Sequence, residues 1–215
     1  MPVSVEEELR RVVPVVRRLA KALSIPLSVD TSKSEVAAQA IDAGASFIND
    51  VTALRGDAAM AAVAARAGAG IILMHMQGTP QTMQHQPTYR DVVKEVAAIL
   101  MDRVHAAEAA GIPRERLLID PGLGFGKMLD HNLDIMRHLH RFVSLDVPVV
   151  LGPSRKSFIG LALGAQVDER LAGTLACVAL AQQAGVHVVR VHDVKPAVDV
   201  VRMLAAISPA AGPQA

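Results

Sequence analysis

Six short stretches of this 215-residue chain set charged or amide side chains directly behind apolar runs. They are Asp30-Thr-Ser-Lys33, Asn49-Asp50, His75-Met-Gln-Gly78, Asp120-Pro-Gly-Leu-Gly-Phe-Gly-Lys127, Gly152-Pro-Ser-Arg-Lys-Ser157 and Arg190-Val-His-Asp193. Arg190 and His192 stand two apart on an extended run, so their side chains share a face. A guanidinium beside an imidazole that can charge is a clamp for phosphate oxygens. The competing use of Arg190 is an ion pair with a nearby carboxylate such as Asp193. Asp120, ahead of a glycine-rich loop, puts a carboxylate where a flat ligand can approach the backbone. That carboxylate suits a guanidine-like N–H/NH2 edge. Lys156 has three readings: a Schiff-base nucleophile, a ligand-binding cation or a surface charge. Its immediate context favours the last.

Each ending also has a plain structural use. Asp30 and Asp120 can cap the helices that follow them, and Asn49 and Asp50 can form turns. Six such endings on one rim exceed what capping needs, and they would converge in one pocket. Gly126-Lys127 resembles the end of a phosphate-binding loop but fails the pattern. Pro121 stands where its first glycine is needed and Met128 where Ser or Thr is needed. His75 has no second His or Cys at metal spacing and reads as a packed or supporting residue. His85, His131, His138 and His140 read as solvated. Met74, Met76, Met83 and Gln77 read as pocket or core lining, and Cys177 as an inert buried thiol.

These endings need a frame that carries them to a common rim. Apolar runs predict strands at 26–30, 46–51, 70–75, 117–120, 147–152 and 186–192. Each is nearly all apolar rather than alternating, as in parallel strands covered on both faces. Helical patterns fall at 5–23, 33–43, 57–67, 90–110, 132–142, 168–184 and 196–206, several ending at Gly (Gly44, Gly68, Gly111, Gly185). Pro14 predicts a kink or restart in the first helix, and 208–215 reads as a disordered tail. Strand–helix alternation means a parallel α/β fold, either an open doubly wound sheet or a (βα)8 barrel. Both place ligands at the C-terminal strand ends. A closed barrel takes about 250 residues, so six strands opening on a helix leave two strands unaccounted for.

Composition narrows the function. Net charge is +1 and aromatic residues are 2% of the chain, with no Trp. Neither a basic field nor stacking platforms for nucleic acid exist. One Cys excludes an internal disulfide framework and fits a reducing, cytoplasmic setting. No basic start followed by an apolar run marks a signal peptide, and no apolar run reaches the roughly 20 residues that span a bilayer. The smooth apolar helix around 171–184 suggests close packing, with a second subunit as one candidate partner.

Taken together, the endings resemble the dihydropteroate synthase family. The resemblance rests on Ser28-Val-Asp-Thr-Ser-Lys33, Phe47-Ile-Asn-Asp-Val51, Leu73-Met-His-Met-Gln-Gly-Thr-Pro80, Ile119-Asp-Pro-Gly-Leu-Gly-Phe-Gly-Lys127, Ser154-Arg-Lys-Ser-Phe-Ile-Gly160 and Arg190-Val-His-Asp193. It implies a (βα)8 TIM-type barrel, here an incomplete one over residues 1–207, and a cytoplasmic homodimer. It also implies a transferase that condenses 4-aminobenzoate with a dihydropterin diphosphate to dihydropteroate, with Mg2+ assisting the departing diphosphate. Carried over residue by residue, it implies that Asp30, Asn49, Asp120 and Lys156 bind the pterin. Met74, Phe125 and Gly152 would line that pocket, and Ser157 would lie on the 4-aminobenzoate side. Arg190 and His192 would hold the diphosphate. The catalytic set so implied is Lys156, Arg190 and His192.

Two family loops are missing from this sequence: an Asn-Val-Thr-Pro-Asp-Ser-Phe-like loop and a Gly-Glu-Ser-Thr-Arg-Pro-like loop. The first supplies the family's Mg2+-binding Asn, so no metal ligand is expected in this chain. The alternatives are an N-terminally shortened, weakly active form, a non-catalytic fragment, and a pterin-binding, corrinoid-dependent methyltransferase. The Ser154-Arg-Lys-Ser157 ending favours the synthase over the last.

Overall fold

The computed structural model describes residues 3–79, 82–83 and 86–207. The expected tail at 208–215 and His85 lie outside them. Helix α1 (Val5–Ala22) leads into alternating strands and helices: β1 (Ser28–Asp30), α2 (Ser34–Asp42), β2 (Phe47–Asp50), α3 (Met60–Ala67), β3 (Gly70–Met74) and α4 (Val92–Ala109). They continue as β4 (Leu117–Asp120), α5 (Leu129–Arg137), α6 (Leu139–Val143), β5 (Val150–Leu151), α7 (Ser157–Leu163), α8 (Leu171–Gln183), β6 (Val188–Val189) and α9 (Val194–Ile207).

All pairings between these strands are parallel. The first four strands form one sheet in chain order, β5 pairs with β6, and a bridge between Ile119 and Val149 joins the two groups. The result is an open arc with β1 and β6 as its free edges among the described residues. This is an incomplete (βα)8-type barrel, as expected from the strand count.

Register decides which residues face the interior. Asp30 pairs with Asn49, Asn49 with Ile72, and Met74 with Asp120. Neighbouring residues in register on parallel strands point to the same side, so Asp30, Asn49, Ile72, Met74 and Asp120 share one face. Asp50 points the other way, to the helices, and is fully buried. There Oδ1 accepts from the Thr52 amide at 2.9 Å and its hydroxyl at 2.7 Å, and Oδ2 from the Leu54 amide at 2.8 Å. Of the two adjacent turn candidates, only Asp50 makes the turn. The helix-facing layer, with Ile48, Ile71, Leu73, Leu117, Ile119 and Leu151 fully buried, is the hydrophobic core. Gly70 is demanded by packing, since a Cβ there would lie 2.3 Å from the Phe47 ring.

Several expected boundaries shift. Helix α1 is capped by Ser4, whose hydroxyl accepts from the Glu7 amide at 3.2 Å, and it runs through Pro14 without restarting. The third helix starts at Met60 rather than residue 57, because Asp57 serves two other amides. Its carboxylate accepts from Ser34 at the start of α2 at 2.8 Å and from Ala59 at 2.9 Å. The helix expected at 132–142 is two, divided at His138. Helix α7 was not expected at all. The last two strands contract to two residues each, so Arg190 and His192 lie beyond β6 rather than on it.

Candidate active site

At the C-terminal ends of the strands a cavity of about 240 Å³ opens, lined by Asp30, Asn49, Ile72, Asp120, Val150 and Arg190 among others. Parity along β1, β2 and β4 delivers the three polar side chains of those strands. The ladder bond from the Arg190 amide to Leu151 O, 2.9 Å, delivers the fourth. Asn49 Nδ2 donates to Asp30 Oδ2 at 3.1 Å. Arg190 Nη2 donates to the same oxygen at 2.9 Å, in a solvent-exposed pair. Arg190 thus has a carboxylate partner, but it is Asp30 rather than Asp193. Neither Asp30 nor Asp120 caps the following helix. Asp120 Oδ1 instead accepts from the Gly122 amide at 2.7 Å.

Lys156 is not a surface charge. Its ammonium lies 4.6 Å from the centroid of the Phe125 ring and donates to Leu123 O. Burial pulls its pKa below the usual lysine range, against the opposing attraction of Asp120. Burial pushes the Asp120 pKa up, outweighing the pull of Lys156, Lys127 and Arg190. A Cβ on Gly152 would sit 3.8 Å from Lys156 Nζ and 4.0 Å from Arg190 Cβ, so this glycine lies between the two cations.

Arg155, directly before Lys156, adopts a left-handed backbone (φ 56°) and faces away. Its guanidinium grips Asp193 through two bonds of 3.0 and 2.7 Å, and its amide donates to Thr174 Oγ1 at 3.0 Å. That anchor lets Lys156 turn inward. Ser154 is buried, and its hydroxyl accepts from the His192 amide at 3.1 Å and bonds His192 Nδ1 at 2.9 Å.

The structure therefore brings together Asp30, Asn49, Asp120 and Arg190 around the cavity, with Lys156, Phe125 and Gly152 beside it. Met74 is buried on the same face, in register with Asp120. His192 and Ser157 are exposed and do not line the cavity.

The 121–127 loop differs most from expectation. It is fastened rather than loose. Lys127 is 3% exposed, and its ammonium donates to His75 Nδ1 at 2.9 Å, Gly122 O at 3.0 Å and Phe125 O at 2.9 Å. Asn132 Oδ1 accepts from the Gly124 amide at 2.7 Å, and Tyr89 donates its hydroxyl to Gly126 O at 2.8 Å. Gly122 has φ 68°, and a Cβ there would lie 2.0 Å from His75 O. Its glycine serves that close approach. His75 is buried, as read from sequence. Burial, with Lys127 and Arg55 nearby, pushes its pKa down to about 3. His131 is not simply solvated, because its ring meets the edge of Tyr89 at 5.0 Å. Cys177 is buried, with its thiol pushed up to about 11.

Among the described residues no group of three His, Cys, Asp or Glu side chains could hold a metal ion. No helix among them is long and apolar enough to cross a membrane. A larger groove of about 800 Å³ lies outside the sheet, between the start of α4 and α5–α6, and shares no residue with the strand-end cavity.

A parallel α/β arc with carboxylate, amide and cationic groups at its strand ends defines a pterin-binding barrel, and the chain belongs to the pterin binding enzyme family, matched over residues 1–192. Within that family its relatives include dihydropteroate synthases, transferases of folate biosynthesis. The Escherichia coli K12 dihydropteroate synthase is 47% identical over 204 residues, covering 95% of this chain and 72% of the relative. The Stenotrophomonas maltophilia enzyme, solved with imidazole in its active site, superposes with a TM-score of 0.94 at 45% identity, covering 99% of this chain and 80% of the other. The Xanthomonas albilineans enzyme in complex with 7,8-dihydropteroate gives 0.90 at 46% identity, covering 96% and 77%. Over the matched part, both sequence and fold are similar to those of the dihydropteroate synthases.

Proposed function

We propose that the strand-end cavity takes the guanidine-like edge of a dihydropterin diphosphate on Asp30, Asn49 and Asp120. Lys156 flanks the ring with Met74, Phe125 and Gly152. Arg190 and His192 take the diphosphate, and Ser157 lies toward 4-aminobenzoate. The observation that carries this reading is the convergence of Asp30, Asn49, Asp120 and Arg190 on one cavity. Its volume is below the roughly 300–1,000 Å³ of drug-sized pockets. A cavity of about 240 Å³ supports a small flat ligand such as the pterin bicycle, with the arylamine proposed beside it.

In the reaction the amine nitrogen forms a bond to the exocyclic methylene carbon of the pterin. The bond from that carbon to the diphosphate oxygen breaks, and the diphosphate leaves with the electron pair. The amine then gives up a proton. The chain's part is to hold the ring flat and to neutralise charge that develops on the leaving group, an electrostatic contribution of about 10²–10³ in rate per contact. Mg2+, an ion usually held by one or two carboxylates together with phosphate and water, would supply further neutralisation of the departing diphosphate. Leu161 and Leu163 on α7, Leu180 on α8, and Val194, Met203 and Ile207 on α9 are exposed apolar residues, which supports a homodimer through this side. Light scattering at monomer mass would sink that part.

The test measures pterin binding, and then diphosphate release from the dihydropterin diphosphate with and without 4-aminobenzoate. Saturable pterin binding, weakened about 10–100-fold in Asp120→Asn, and release that needs 4-aminobenzoate and Mg2+ are expected. A folded protein without pterin binding, or methyl transfer from a methylated folate with no need of 4-aminobenzoate, overturns the reading.

A further inference from the structure

An ammonium has three donors, and Lys127 finds three acceptors in a site closed to water: His75 Nδ1, Gly122 O and Phe125 O. Burial pulls the Lys127 pKa down to about 7; in its charged form the amine uses the lone pair on His75 Nδ1, which places the imidazole proton on Nε2. Closing the turn does not by itself require a buried cation, which is costly to desolvate. Asn132 already takes the Gly124 amide and donates to Lys127 O at 3.2 Å and Met128 O at 2.7 Å. Tyr89 already takes Gly126 O.

What Lys127 adds is the direction of the peptides between those anchors. It gathers the carbonyls of Gly122 and Phe125, while the intervening Leu123 carbonyl goes to Lys156. The same stretch supplies the Gly122 amide to Asp120 and the Phe125 ring to Lys156. Two lysines thus grip one loop.

We propose that Lys127 is a positioning residue for pterin recognition, holding residues 121–126 in the pose that orients Lys156 and Asp120, with His75 as its anchor on the end of β3. This rests on the pterin site proposed above. The groups that face this amine are His75, Asp120 and Lys156, with Tyr89 and Arg55 one contact further out.

The experiment compares wild type with Lys127→Met, which keeps the side chain's bulk and removes its donors, and with His75→Leu and His75→Gln. Pterin affinity, KM for each substrate and kcat are read on the folded fraction of each. Lys127→Met is expected to weaken pterin binding about tenfold or more, on the scale of one charged hydrogen bond. The KM for 4-aminobenzoate should stay unchanged. His75→Leu should lose part of that affinity, and His75→Gln, which keeps an acceptor, should restore it. A merely structural lysine would lower the melting temperature and leave these ratios alone. Wild-type affinity in folded Lys127→Met overturns the proposal. If that variant does not fold, wild-type affinity in His75→Leu overturns it instead. A wild-type protein that binds no pterin overturns the pterin site itself, which separates the two failures.

Discussion

His75 and Lys127 lie 52 positions apart and meet at 2.9 Å in a site from which water is shut out. The imidazole's pKa is pushed down from 6.5 to about 3. Between those values the unfolded chain binds a proton that the folded chain refuses. The His75 contribution to stability is therefore complete above pH 6.5 and is lost as pH drops toward 3, by an amount on the order of a few kcal/mol. Melting temperatures taken from pH 7 to 4.5 should fall less steeply in His75→Gln than in wild type, and parallel slopes would refute the assignment. The sequence allowed His75 a supporting role but could not pair it with Lys127. The pattern that draws the eye at Gly126-Lys127 is a failed phosphate loop, and nothing local points back to β3. Asp30, Asn49 and Asp120 were readable because each ends an apolar run, and period-two geometry then leaves no choice of face. Lys156 was misjudged on residues alone, because the carbonyl and ring that bury it belong to another loop.

At the scale of elements, the 121–127 loop shows how glycine serves two different needs. Gly122 and Gly68 both have positive φ, but a Cβ at Gly122 would strike the His75 carbonyl, while at Gly68 it meets open space. Gly68→Ala should cost only the left-handed strain of about 1 kcal/mol. Gly122→Ala adds overpacking of about 1–3 kcal/mol, lowering the melting temperature by about 5–15 °C for a chain this size. It should also weaken pterin binding, whereas Gly68→Ala should not. Equal melting temperatures for the two variants would contradict the packing argument. Helices and strands were legible where apolar periodicity runs long. Helix α7 was not, because it is seven residues with a glycine inside. The late start of α3 was equally hidden, since Asp57 spends its carboxylate on a different helix.

For the whole molecule, the arc leaves the edges of β1 and β6 without strand partners among the described residues. Exposed edges invite association. This chain covers 72% of the E. coli relative, so that protein has length to spare for more strands. A chain lengthened at its N-terminus by two strand–helix units of such a relative should melt clearly higher and associate less, as followed by calorimetry and light scattering. An unchanged melting temperature would show that the arc needs no further strands. The gap was countable in the sequence, because parallel strands covered on both faces stand out as short apolar runs. How the arc's two ends relate was not, since Asp30 and Arg190 lie 160 positions apart.

That pair has a consequence for the order of events. Asp30 holds the Arg190 guanidinium, a group similar to the guanidine-like edge that the proposed pterin would offer it. If the pterin seats on Asp30 as proposed, it does so by exchange, with one bond to the carboxylate replacing another, and the displaced contact is an exposed one worth about 1 kcal/mol or less. On the proposed assignment, the exchange would free Arg190 for the diphosphate. A contact of that size biases the order without fixing it: on the proposed assignment, a bound pterin would raise the readiness of Arg190 for the diphosphate by about fivefold at most.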